Sequence, residues 1–331
     1  MLTTTHESEL PTIDLAAFLT GTKSDRRYIA DQVDEICRSI GFLIIRQHGV
    51  PTETSEAAWS SARAFFDLPI EKKLAAKSAV PGCPRGYFPV EEEALARTRG
   101  IDTPPDLKEA YSSGPLQAPA GHAASEAFEF FYGENIWPVE PGNFRENWEN
   151  YYLAMERLGA QIMQLLASAL HLDDEYFVDF HTHHLSALRA LNYPSTSGPL
   201  LPEQQRAGAH SDYGSVTILK PDPLVGGLEV QLPSGKWLSA PVISDAFIVN
   251  VGDLLARWTN DRWISTLHRV SSAAGRAGET TRRRQSIAYF MNPNYDAKIS
   301  AIATCLGENE AAKYSPVLAG EHLIRQFRAA T

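Results

Sequence analysis

Ala209-His210-Ser211-Asp212-Tyr213-Gly214 is the stretch on which the fold turns, read together with His268 in Ile264-Ser265-Thr266-Leu267-His268-Arg269-Val270. Side chains two residues apart on an extended segment project to the same side. His210 and Asp212 can therefore reach one metal ion. An imidazole from a distant strand, His268, would complete a two-histidine, one-carboxylate facial triad. That arrangement leaves adjacent positions open on Fe(II) for a co-substrate and oxygen. An HxD pair alone is a weak signal, since such pairs arise by chance on surfaces. The strand-borne histidine and an arginine farther on give it weight.

That arginine lies in Arg284-Gln285-Ser286, which opens the apolar run Ile287-Ala288-Tyr289-Phe290. A strand here places Arg284 and Ser286 on one face, where a guanidinium fork and a hydroxyl together suit a carboxylate. Arg282 and Arg283 read as solvated turn charges. From Leu185 onward short apolar runs alternate with Gly and Pro. Strands are expected at 188–193, 215–219, 227–232, 237–239, 247–251, 267–270 and 285–290, with Pro233-Ser234-Gly235 as a hairpin turn. So many short strands imply an α+β chain with a mainly β core, a sandwich or jelly roll flanked by helices.

Upstream, a short strand at 10–15 precedes a helix carrying Ile29, Val33, Ile36, Cys37 and Ile40, ended by Gly41. Phe42-Leu43-Ile44-Ile45 is the next strand, and a helix follows through Phe65 and Phe66. His48 beside Gly49 reads as a structural turn residue. Between Val80 and Pro141 frequent prolines break any long element, as in a lid or cover. Glu91-Glu92-Glu93 in this region reads as a solvated face, with a contact to a cationic substrate as the sharper alternative. Residues 143–170 form the longest helix, its stripe of Trp148, Tyr152, Met155, Ile162 and Leu166 packing on a sheet. His181-Thr182-His183-His184 has the composition of a metal cluster, but neighbouring side chains on such a turn diverge, and a capping role is expected. The chain divides into an N-terminal region, 1–141, and a core, 142–331, closed by a helix at 320–330 and expected to pack as one unit.

The chain of 331 residues is 44% hydrophobic, enough for a sizeable core. Its net charge of −10 argues against nucleic acid or an anionic membrane face as partner, which leaves a small molecule. Cys37, Cys83 and Cys305 are too scattered for a disulfide framework or a CxxC site, which suits the cytoplasm. The first nine residues lack the features of a signal peptide, and no run of about 20 apolar residues could span a bilayer. Oligomeric state is left open.

These residues resemble the isopenicillin N synthase-like family of iron(II)- and 2-oxoglutarate-dependent dioxygenases over nearly the whole chain. The likeness is carried by Gly41-Phe42, His48-Gly49-Val50, Phe65-Phe66-Asp67-Leu68-Pro69, Arg85-Gly86-Tyr87 and Asp106-Leu107-Lys108-Glu109. Farther on it is carried by His210-Ser211-Asp212, Gly226-Gly227-Leu228-Glu229-Val230, Val249-Asn250-Val251-Gly252-Asp253, His268-Arg269-Val270 and Arg284-Gln285-Ser286. Gln47 departs from the family's usual Asn. The resemblance implies a double-stranded β-helix with His210, Asp212 and His268 as iron ligands. Arg284 and Ser286 would grip the distal carboxylate of 2-oxoglutarate, assisted by Tyr193, with Arg189 near the co-substrate. It further implies oxidation of a small molecule by O2, by hydroxylation, desaturation or ring formation, with release of succinate and carbon dioxide. The loop from Arg85 to Tyr111 is expected to close over the barrel mouth, with Tyr87, Phe88, Glu92, Glu93, Tyr111 and Tyr213 contacting substrate. Two alternatives stand beside this reading. One is an oxidase like isopenicillin N synthase, in which the arginine and serine hold the substrate's own carboxylate. The other is a non-catalytic β-sandwich that binds a ligand or a structural zinc, although such zinc normally takes four protein ligands.

Overall fold

The computed structural model describes residues 9–101, 103–120, 126–195, 204–271, 281–308 and 310–330. In chain order its strands are β1 (Thr12–Asp14), β2 (Phe42–Arg46), β3 (Gly86–Phe88), β4 (Glu109–Ser113), β5 (Ala187–Tyr193), β6 (Ala207–His210) and β7 (Val216–Lys220). They continue with β8 (Leu228–Gln231), β9 (Trp237–Ser239), β10 (Phe247–Val251), β11 (His268–Val270), β12 (Arg284–Met291), β13 (Lys298–Ile299) and β14 (Val317–Leu318). The helices are α1 (Leu15–Thr20), α2 (Lys23–Ser39), α3 (Thr52–Phe66), α4 (Ile70–Leu74), α5 (Glu126–Tyr132), α6 (Phe144–Ala169), α7 (Asp253–Trp258) and α8 (Ala319–Ala330).

An eight-stranded sheet in the order β1-β2-β10-β7-β12-β5-β4-β3 faces a four-stranded sheet in the order β6-β11-β8-β9 across an internal cavity. This is the double-stranded β-helix expected from the sequence. Strands from the first 113 residues occupy both ends of the larger sheet, so the N-terminal region and the core share one ladder. All of its pairings are antiparallel except β1 with β2. β12 is buried along almost its whole length, as a central strand covered on both faces must be. Its odd-numbered residues and the even-numbered ones of β5 turn toward α6, where Tyr152 meets Tyr289 edge to face at 5.5 Å. Trp148, Tyr152 and Met155 on α6 are fully buried, and each such side chain contributes about 1.5–3 kcal/mol relative to exposure. The opposite face of β5 and β12, bearing Arg189, Leu191, Tyr193, Arg284 and Ser286, lines the cavity.

Gly41 does more than end α2. At φ +63° it lies so close to the later chain that a Cβ would sit 2.2 Å from the Ile264 carbonyl oxygen. Thr266 Oγ1 donates to the Ile40 carbonyl at 2.7 Å, and Asp34 accepts from Trp263 Nε1 at 2.8 Å and from Arg262. The segment that leads into His268 is thereby fastened to the N-terminal helix.

The segment between Arg85 and Tyr111, expected as a cover, borders the cavity through Phe88, Glu92, Glu93, Leu95 and Lys108 and is anchored at both ends. Both ends of that segment are strands of the larger sheet, and register pairs Tyr87 with Tyr111. Arg85 is buried and donates to the Phe130 and Glu129 carbonyls at 2.7 and 2.6 Å, tying the segment to the end of α5. Leu323, Phe327 and Arg328 of α8 line the same cavity, and Arg328 Nη2 meets Glu126 Oε1 at 2.6 Å. The apolar stripe of α8 needs a partner surface and finds it against this segment.

Candidate metal and co-substrate site

β6 and β11 pair antiparallel with His210 directly opposite His268, and Asp212 follows two residues beyond His210. One ligand atom from each of the three lies within 4.8 Å of the other two. Each imidazole is oriented by its own strand: His210 Nδ1 donates to the Gly208 carbonyl at 2.7 Å and His268 Nδ1 to the Thr266 carbonyl at 3.2 Å. That leaves both Nε2 atoms as free lone pairs, 3.9 and 3.7 Å from Asp212 Oδ1. Asp212 Oδ2 is occupied by Asn250 Nδ2 at 2.8 Å, so Oδ1 is the oxygen turned to the two rings. Burial, and then the nearby His268, pushes the His210 imidazole down to about 4 and keeps it neutral, the form that ligates a metal. Burial acts to raise the Asp212 carboxyl, but His268, His210, Thr217 and Asn250 together hold it below its ordinary value. Two imidazoles and a carboxylate on one side, with open cavity on the other, fit an iron(II) ion. No fourth protein ligand joins them among the described residues, as a closed structural zinc site would need.

The glycines around this triad are packing requirements. A Cβ on Gly214 would sit 2.0 Å from Asn292 Oδ1, and one on Gly252 would sit 2.3 Å from the Gly214 carbonyl oxygen. The chain after Asp212 can pass only because neither has a side chain.

The cavity has a volume of about 720 Å³ and runs from the triad to Arg284. Arg284 is 1% exposed, donates through Nε to the Gly226 carbonyl at 3.1 Å and through Nη1 to Ser286 Oγ at 3.2 Å, and has no carboxylate within ion-pair distance among the described residues. A buried guanidinium without an anion is costly, which fits a site completed by an acid ligand. Asp222, a residue the sequence reading did not single out, holds this corner. It accepts from the Gln285 amide at 2.9 Å and from the Leu224 and Val225 amides, and so joins the start of β12 to the turn that presents Gly226. Asn250 was quoted only for family likeness. A buried asparagine beside an HxD carboxylate could be found only through the β10 register that brings it there.

Other expected site residues divide. Tyr87, Phe88, Glu92, Glu93 and Tyr213 all border the cavity. Arg189 shares their space, but its Nη2 is bound to Glu93 Oε2 at 2.7 Å and its guanidinium lies 4.7 Å from the Phe88 ring centre. Four residues of strand, about 13 Å, separate it from Tyr193. Both nevertheless look into the cavity from β5, on the one face that their spacing in the sequence predicts. Glu93 is not a solvated group: burial opposes its charge, but Arg189 and Lys108 hold its carboxyl down to about 2. Glu92 is half-exposed and paired with Lys77. Tyr111 is corrected as a substrate contact, because strand parity turns its ring to the back of the sheet, whereas Tyr87 borders the cavity with its hydroxyl turned to that back face. Tyr87 donates to Glu109 there, and Tyr111 packs among Phe65, Phe144 and Trp148. Arg283, expected in solvent, binds Asn192 Oδ1 at 2.7 Å and Asp67. His48 packs on Phe247, and His184 bonds Glu156, each away from the triad.

Comparison with known proteins agrees with this geometry. Residues 10–140 match the family model described as non-haem dioxygenase in morphine synthesis N-terminal, and residues 183–293 match that of the 2OG-Fe(II) oxygenase superfamily. The chain is 30% identical to the 2-oxoglutarate-Fe(II) type oxidoreductase hxnY of Emericella nidulans, over 93% of this chain and 86% of that one. It is 31% identical to a homoarginine-6-hydroxylase of Oryza sativa, over 96% of each. A full-length Neurospora crassa protein solved with α-ketoglutarate superimposes with a TM-score of 0.85 at 31% identity, over 97% of this chain and 96% of that one. The chain belongs to the isopenicillin N synthase-like family of non-haem iron(II)- and 2-oxoglutarate-dependent dioxygenases, enzymes that take Fe(II), 2-oxoglutarate and O2.

Proposed function

We propose that His210, Asp212 and His268 hold the iron, and that Arg284 and Ser286, with Tyr193 beneath the guanidinium, take the distal carboxylate of 2-oxoglutarate. A small metabolite then occupies the remainder of the cavity between Phe88, Tyr213 and Phe327. The observation that carries this reading is the pairing of an anion-less buried arginine with an open three-ligand cluster in one enclosed space. Bound iron would activate O2, the oxidant, with 2-oxoglutarate as the co-reductant that leaves as succinate and carbon dioxide. The chain's own residues orient the ligands, fix one end of the co-substrate and keep bulk water out under α8. Walls that are mostly apolar, with few fixed polar groups, suit a small organic substrate. Relatives named for a substrate take dissimilar compounds, validamycin A in one and homoarginine in another, so they support the small-molecule class rather than one compound. The oxidase alternative, in which Arg284 holds the substrate's own carboxylate, is disfavoured by relatives named as 2-oxoglutarate enzymes. No described helix is long and apolar enough to cross a membrane. Three free cysteines suit a cytoplasmic setting.

A screen of candidate metabolites for succinate release tests the reading. Release should require Fe(II), O2 and 2-oxoglutarate together and should rise with the correct metabolite. Product formation without succinate would return the oxidase alternative.

A further inference from the structure

Where β6 meets β11, one strand has a residue too many. His268 stands opposite His210 and Val270 opposite Ala207, so Arg269 alone on β11 faces Gly208 and Ala209 on β6. Such a bulge takes a residue out of the ladder and re-aims the side chain beside it. Here that side chain is His210. Both backbone groups of Gly208 find other partners: its carbonyl accepts from His210 Nδ1, and its amide donates to Asp106 Oδ1 at 2.9 Å. Space at Gly208 is tight as well, since a Cβ there would meet the Ala96 backbone nitrogen at 3.2 Å.

Asp106 is held for this task. Its carboxylate is buried, and Oδ2 accepts from Lys108 Nζ at 2.7 Å and from the Leu95 amide at 3.1 Å. Lys108 is equally buried and stands 3.5 Å from Glu93, whose other partner is Arg189 on the cavity wall. Four buried or largely buried charges thus neutralise one another in a row that ends under the histidine. A buried carboxylate that only needed neutralising would require Lys108 alone. One that also takes the amide released by the bulge fixes a backbone position.

We propose that Asp106, itself held by Lys108 at 2.7 Å, is a positioning residue that locks the bulge at Gly208 and so sets the aim of His210. This rests on the assignment of His210 as a metal ligand. Outer partners of ligating histidines typically govern metal affinity by about 10- to 100-fold.

The test is titration of the metal-free full chain with Co(II), read by the visible absorption of the bound ion. Wild type should bind one Co(II), and His210→Ala should lose it. Asp106→Ala should bind about 10- to 100-fold more weakly, with an altered spectrum. Asp106→Glu keeps a partner for Lys108 but displaces the acceptor, and should shift affinity and spectrum in the same direction. It carries the test if Asp106→Ala does not fold. Equal binding by wild type and His210→Ala would remove the ligand assignment itself. Loss in His210→Ala beside wild-type affinity and spectrum in folded Asp106 variants would overturn the positioning role alone.

Discussion

Arg284 and Tyr193 stand directly opposite each other on β12 and β5, and the guanidinium carbon lies 4.9 Å from the centre of the phenol ring. The ring supports the cation from one side, the Gly226 carbonyl and Ser286 fix its plane, and the remaining donors face the cavity. Arg284→Ala should weaken 2-oxoglutarate binding by about 2–5 kcal/mol, roughly thirty-fold to several-thousand-fold. Lys should rescue poorly because it lacks the planar fork. Equilibrium titration with 2-oxoglutarate checks this, and unchanged affinity in Arg284→Ala would remove the assignment.

Asn250 holds Asp212 Oδ2 and so decides which carboxylate oxygen is turned to His210 and His268. Asn250→Leu should lower Fe(II) affinity by about 10- to 100-fold while leaving the fold in place. Anaerobic calorimetry of wild type and variant would show it; equal dissociation constants would mean that Asp212 needs no such support.

Tyr111 tests the corrected placement. Its ring is fully buried among Phe65, Phe144 and Trp148, with its hydroxyl bonded to the Ile136 carbonyl at 2.9 Å. Tyr111→Ala should destabilise by about 3–5 kcal/mol, as large-to-small changes at buried aromatics do. Tyr111→Phe should cost about 1 kcal/mol and leave substrate selectivity alone. Urea denaturation measures the first effect. A stable Tyr111→Ala with changed selectivity would put the ring back in the substrate pocket.

Acid should loosen the metal-free protein. Burial pushes the His181 imidazole down to about 4 in the fold, against an ordinary value near 6.5. The unfolded chain therefore binds the extra proton between about 6.5 and about 4. Stability falls as pH drops through that window, at up to about 1.4 kcal/mol per pH unit for this one group. His210, lowered for the same first reason, adds to the slope. Urea midpoints from pH 7 to pH 4 should fall less steeply in His181→Phe than in wild type; identical slopes would show that His181 does not titrate between the two states.

Parity and spacing explain what was legible in the sequence. His210 with Asp212, and Arg284 with Ser286, sit two residues apart on extended chain, so each pair had to share a face, and His268 had to come from another strand. The same parity could not say which face of β4 would look inward, and Tyr111 was assigned to the wrong one. Glu93 and Arg189 are 96 residues apart, and no local pattern joins them. Glu91-Glu92-Glu93 looks uniform as a string, yet it splits into two exposed carboxylates and one buried ion pair. Asp106 was visible only as part of a motif. Its role depends on a bulge, and a bulge is a mismatch between two strands that neither strand shows alone.

The helix at 319–330 has a consequence for synthesis. Every ligand in the triad, and the arginine opposite it, leaves the ribosome before Leu323 and Phe327, the side chains that roof the cavity next to Tyr213. Because translation runs in one direction, the cluster and the arginine are always made before the roof. A ribosome that stopped between the codons for Ala319 and Leu323 would release the His210, Asp212 and His268 cluster complete but without that roof.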